Sequence, residues 1–195
     1  IGVVLAGISL GNYCGGRLAD RWPSKTFIAF IFTLSALAVA LSPALHAWMA
    51  QWRNQWWHLA SLSWPVQTLI HVSFVGFFPC VFIGMVSPVV TRRLLAQGNA
   101  PGASVGAVYA WGSIGAIAGT FLTGYGLIQW IGSIPTAVSV AVLLVLTAVI
   151  YAPTRLWTIT ASCLCCAALL MSLFPFPALA SISAHLGYSS HVDPR

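Results

Sequence analysis

Few side chains in this chain of 195 residues could do chemistry, and their spacing narrows the choice further. There are five histidines: His46, His58, His71, His185 and His191. None stands at the H-x-x-x-H spacing with a glutamate that builds a zinc hydrolase, and the chain has no glutamate at all. Histidines facing each other across two helices could hold haem or a quinone. His46 and His71 are expected toward the same side of a membrane, which leaves that arrangement open. The five cysteines, Cys14, Cys80, Cys163, Cys165 and Cys166, all lie in apolar runs and read as small packing residues. In the CLCC cluster, adjacent thiols on one helix would face different ways, and no second ligand pair is near in sequence. No metal and no cofactor are expected, and nothing supports serine hydrolase or redox chemistry. The remaining polar feature is GGRLADRWPSK, Gly15 to Lys25, which gathers Arg17, Arg21 and Lys25 with Asp20, one of only two acids.

The elements that must carry these residues are dictated by composition. The chain is 59% hydrophobic and 5% charged, where a soluble domain carries about 25% charged residues. Charge is absent from residues 26–52, 54–91, 94–154 and 156–192. A bilayer-spanning helix needs about 20 mostly apolar residues, so the longest of these runs holds two spans and a turn. So short a chain cannot hide this much apolar surface in a soluble core. The expected fold is all-α: a polytopic transmembrane helix bundle of about six spans, filling residues 1–178, with 179–195 as a tail or linker. The spans are placed near 1–16, 26–49, 66–91, 105–130, 134–152 and 157–178, with a tight turn at Gly132 and Pro135. Because the chain begins at Ile1, inside an apolar run, it is read as a fragment. The net charge of +6 does not point to nucleic acid, since basic residues at span ends are ordinary in membranes and no basic stripe with stacking aromatics exists.

Orientation follows from the cations. The loops 17–25, 91–104 and 153–157 share one side and hold Arg17, Arg21, Lys25, Arg92, Arg93 and Arg155, against Arg53 and Arg195 on the other. The first group is therefore expected in the cytoplasm. Trp48, Trp52, Trp56, Trp57 and Trp64 crowd one non-cytoplasmic loop, while Trp22 and Trp157 fall at the opposite interface. Trp48, Trp52, Trp56 and Leu59 recur at helical spacing, as in a short helix lying in the headgroup plane. An aromatic pocket for a cation is the alternative, weakened by the lack of an acid nearby.

Two spans are rich in small residues. Gly7, Gly11 and Gly15 recur every four residues, as do Gly112, Ala116, Thr120 and Gly124, with Gly115 and Gly119 on a neighbouring stripe. Helices in lipid associate by close packing, so these stripes mark contact faces, and spans one and four are expected at the centre. Their partners could lie within the chain or in a second copy. Pro79 and Pro88 in span three remove helix hydrogen bonds and predict a kink. Asp20 could offset local positive charge or accept hydrogen bonds from free amides at the start of the next helix.

Two stretches resemble known families. GRLADRWPSK resembles the loop signature of the major facilitator superfamily, roughly G-x-L-A-D-R-x-G-R-K, matched at Gly16, Leu18, Ala19, Asp20, Arg21 and Lys25. Pro23 and Ser24 depart from it. In that superfamily the acid and basic residues latch helices together in one conformation. GMVSPVVTRRL, Gly84 to Leu94, followed by GAVYAWGSIGAIAGTFLTGYGLIQWIG, Gly106 to Gly132, and taken with LAGISLGNYCGGRLADR, resembles something narrower. It is similar to the membrane domain of bacterial proteins that fuse a facilitator-like bundle to a spermidine synthase-like catalytic domain. Gly84, Pro88, Arg92, Tyr109, Gly115, Gly119, Thr120 and Phe121 carry the likeness. It implies a bacterial inner-membrane protein serving or anchoring an aminopropyltransferase domain, in cis or in trans. That catalytic half binds decarboxylated S-adenosylmethionine and holds a polyamine with carboxylates. Nothing of that kind is in this chain, whose acids are Asp20 and Asp193. A polyamine site without carboxylates cannot offset its ligand's charge, so no catalytic residue is expected here. A facilitator-type transporter and a membrane scaffold that self-associates through spans one and four are the competing expectations. Against transport, the mid-span positions hold no ionisable group, and His71 sits toward the outer end of its span.

Overall fold

A computed structural model describes residues 1–22, 24–55, 63–98, 100–152 and 154–173. Among them there is no strand, and the helices run in the order α1 (Gly2–Arg21), α2 (Lys25–Gln55), α3 (Trp64–Gly84), α4 (Val86–Ala96), α5 (Pro101–Phe121), α6 (Ile128–Ile131), α7 (Ser133–Tyr151) and α8 (Arg155–Leu173). A π-helical turn, Leu122–Leu127, joins α5 to α6. The expected all-α class is the observed one. Four stretches are long and apolar enough to cross a membrane: Lys25–Met49, Pro65–Ala96, Pro101–Ile131 and Ser133–Tyr151.

Local sequence accounts for the boundaries. α1 continues through Arg21, so most of the expected loop 17–25 is helix and the connection to α2 shrinks to residues 22–24. The amide of Phe27 donates to Ser24 Oγ at 3.2 Å, so a serine caps the start of α2. α3 and α4 are one span interrupted at Met85. Pro79 lies inside α3, whereas Pro88 falls in the first turn of α4, where its missing N–H leaves no intrahelical bond unmade. Gly132, at φ +85°, makes the tight turn before α7, a backbone that an L side chain adopts only under strain. The Trp-rich stretch divides. α2 extends to Gln55, so Trp48 and Trp52 belong to its last turns, while Trp56 and Leu59 of the expected in-plane helix, and Trp57 of the same loop, lie outside the described residues, as does the tail 179–195.

The hub of the bundle is α2, which packs against α7, α8, α3 and α4. α1 lies along α3 and α4. One buried cluster, Ala19, Phe27, Ile28, Ile31 and Val89, knits α1, α2 and α4 together, with Leu18, Phe32, Met85 and Val86 around it. A second, Ala40, Ala141 and Ala168, lets α2, α7 and α8 approach closely through alanine contacts. This corrects the expectation that spans one and four are central. α5, the fourth span, is peripheral, with α4 and its own continuation as its packing partners. Gly112, Gly115 and Gly119 meet no other part of the chain within 4 Å, and Tyr109, Trp111, Ile114, Ile117 and Phe121 on the same helix are each more than half exposed. Small side chains permit close approach without supplying a partner. α2 is central because its buried positions Ala29, Ser35, Ala36 and Ala40 are small enough for several helices to close on it.

Candidate functional site

The glycines of α1 decide how the charged end of the molecule is assembled. Gly7, Gly11 and Gly15 are buried. A Cβ at Gly7 would stand 2.9 Å from Cys80 Cβ, and one at Gly15 would stand 2.7 Å from Met85 Cα. Gly84 answers from α3: a Cβ there would stand 2.7 Å from the Ile8 carbonyl oxygen and 3.3 Å from Gly11 Cα. The two backbones therefore touch at positions where any side chain would hold them apart. Contacts advance in step along both helices, Gly7 with Cys80, Gly11 with Gly84, Gly15 with Met85 and Gly16 with Pro88. That progression makes α1 and α3–α4 parallel, as first and third spans joined by one antiparallel helix must be.

One turn further on, the same register brings Asp20 to Arg92. Arg92 Nε lies 2.9 Å from Asp20 Oδ1, the distance of a charge-assisted hydrogen bond. Both side chains are largely exposed, at 48% for Arg92 and 67% for Asp20. The pair ties the end of α1 to α4 across the seam. Asp20 is thus committed to a guanidinium on another helix, and Ser24 rather than Asp20 caps α2.

The other members of the signature surround this pair. The Arg17 guanidinium carbon stands 4.4 Å over the Tyr13 ring, a cation–π contact one turn back along α1. Arg17, Leu18, Asp20 and Arg21 line an open cleft of about 440 Å³ at the helix end. Lys25 is the first residue of α2. Trp22 meets Phe27 edge-on at 6.2 Å, and Trp22 also lines a groove with Phe30 and Trp157 of α8. The basic connections that follow α1, α4 and α7 therefore gather at one end of the bundle. Tyr109 stands apart on α5, 69% exposed.

At the opposite end, His46 of α2 and His71 of α3 meet, with His46 Nδ1 2.8 Å from His71 Nε2 and the rings at 85°. The sequence left this pairing open. Two axial ligands of one haem iron need about 4 Å between their nitrogens, twice a metal–nitrogen bond of about 2 Å, so the rings as placed leave no room for haem. Among the described residues no group of three or more His, Cys, Asp or Glu converges as a metal cage.

Sequence reasoning named Asp20 and Arg92 without joining them, because nothing in the chain signals a pairing between residues on different spans. The π-helical turn at Leu122–Leu127 was also missed; Gly124 and Gly126 within it are the only local hint.

These features define a class: an all-helical protein of membrane-spanning composition, with a basic, ion-paired end and a histidine-bearing end. Comparison with known proteins does not narrow the class, since no protein-family model, no curated protein and no solved structure matches the chain.

Proposed function

We propose that this chain is a multi-pass domain of a bacterial inner membrane and the membrane-embedded part of a spermidine synthase-like fusion protein. It anchors or serves an aminopropyltransferase domain supplied in cis or in trans. The observation that carries the reading is the seam between α1 and α3–α4. Two of the three stretches that carry the resemblance meet there, Gly16 against Pro88 and Asp20 against Arg92. The third, with Tyr109, Gly115, Gly119, Thr120 and Phe121, lies on α5 away from the seam. Contact between separate stretches is what a motif serving a shared architecture should show, and the reading rests on the first two. The bilayer is the first partner, covering the exposed apolar faces of α5 and α7. The six positive charges near the ion-paired end face the cytoplasm under the charge rule. The chain contributes no catalytic group, because carboxylates able to hold a polyamine are lacking.

The test is to sequence the gene on both sides of the segment encoding residues 1–195 and to pull down the tagged protein from its native membrane. The expected result is a nucleotide-binding aminopropyltransferase domain encoded in frame or recovered as a bound partner. Neither being found would sink the proposal.

A second reading, a facilitator-type transporter or part of one, draws on the interruption of the third span at Met85, since transporters use broken helices at binding sites. Substrate-dependent flux in reconstituted vesicles would favour it. Vesicles that leak no faster for any polyamine or amino acid tested would retire it.

A further inference from the structure

The histidine pair has no role in the reading above. His46 is exposed and His71 half-buried, on two helices of mostly apolar composition. The hydrogen bond between them uses one ring N–H and one ring lone pair. Among the described residues the single acid is Asp20, at the far end of the bundle and paired with Arg92. What the pair offers is two ring nitrogens brought together from separate helices, with the exposed His46 open to water.

We propose that His46 and His71 form a two-imidazole clip for a divalent first-row transition ion, Cu²⁺ foremost, with water completing the coordination. Ring nitrogens 2.8 Å apart in a hydrogen bond are near enough to turn onto one shared ion. The choice of metal follows affinity, since imidazole suits the later first-row ions and Cu²⁺ heads their order. Mg²⁺ and Ca²⁺ are excluded by their demand for oxygen ligands. On binding, the proton of the hydrogen-bonded N–H moves to the other nitrogen of the same ring. His46 Nδ1 and His71 Nε2 then both turn lone pairs to the metal, and a neutral pair releases no net proton. The bound ion would cross-link the outer ends of α2 and α3, at the end opposite the Asp20–Arg92 pair.

The full chain in detergent micelles, its thiols blocked with N-ethylmaleimide, is titrated with Cu²⁺ and followed by electron paramagnetic resonance. The expected result is one tight Cu²⁺ per chain, with a tetragonal spectrum split by two imidazole nitrogens. His46→Gln and His71→Ala should each abolish that splitting and weaken Cu²⁺ binding about tenfold or more. A variant carrying His58→Ala, His185→Ala and His191→Ala together should leave both unchanged. Should His71→Ala lose its helical circular dichroism, the exposed His46→Gln decides alone. In a parallel assay, Cu²⁺ should raise the thermal midpoint of the wild type and not that of His46→Gln. The proposal is overturned if no Cu²⁺ binds tightly, if His46→Gln binds it unchanged, or if the three-histidine variant loses the splitting.

Discussion

At the scale of single residues, two contacts do most to set the geometry. Gly84 stands where the α1 backbone crosses, and a methyl group there would sit 2.7 Å from a carbonyl oxygen that cannot give way without moving a helix. Gly84→Ala should cost about 1–3 kcal/mol through overpacking. Gly115→Ala adds a methyl where nothing lies within 4 Å, and it should be neutral or stabilising by about 0.5–1 kcal/mol as helical glycine is relieved. Unfolding in a series of mixed detergent micelles measures both. Equal effects would refute the difference in packing. The Asp20–Arg92 pair is a smaller matter energetically. Both partners are exposed, so a double-mutant cycle with Asp20→Asn and Arg92→Gln should yield a coupling of about 0.2–1 kcal/mol, shrinking in high salt. A coupling several times larger would mean that the pair is buried from water in the membrane-bound protein. Its part is to fix register, since it closes the seam one turn beyond the last glycine contact.

At the scale of helices, propensity and packing divide the work. α2 holds Pro43 in its interior and still runs unbroken from Lys25 to Gln55. Its small residues, Ala36 and Ala40 among them, are buried against its neighbours, and that packing outweighs the bond that proline removes. Ser35 and Thr33, buried in the same helix, donate to the carbonyls of Ile31 and Ala29 one turn back at 2.9 and 2.8 Å. Each hydroxyl thus satisfies itself within its own helix, which is what an apolar environment demands. The break between α3 and α4 falls at Met85, six residues after Pro79, where the close approach of Gly15 fixes the backbone. Gly15→Leu should therefore disturb α4 as well as α1. Thiol reactivity of Cys14 and Cys80, both half-buried along the same seam, would report it as faster modification by a membrane-permeant maleimide. Unchanged modification of both would show that α1 is not held by this contact.

At the scale of the whole molecule, the arrangement has two unlike ends. One carries the ion pair, Arg17, Arg21 and Trp22; the other carries the histidine pair and Trp48. α3 and α4 join them, about 50 Å of helix at 1.5 Å per residue, longer than a hydrocarbon core of about 30 Å. In a cysteine-free background, Ser63→Cys and Gln97→Cys, at the two ends of that span, should label from opposite faces of sealed vesicles with an impermeant maleimide. Labelling of both from one face would sink the spanning assignment.

The sequence by itself determined the class and most of the segments. Backbone in lipid must be satisfied by helices or a closed barrel, and long unbroken apolar runs fit helices, so the runs between Arg53, Arg92 and Arg155 mark where those helices lie. Gly132 announced its own turn, because positive φ is a local property. The neighbours of each helix were decided by the tertiary structure alone. The glycine stripes of α1 and α5 look alike as strings, yet Gly11 touches Gly84 while Gly115 meets nothing within 4 Å. Asp20 and Arg92, and likewise His46 and His71, come together through the register between helices. A pattern along one helix shows which face can pack closely. Which partner arrives there depends on shape complementarity summed over the whole bundle, and no single segment encodes that.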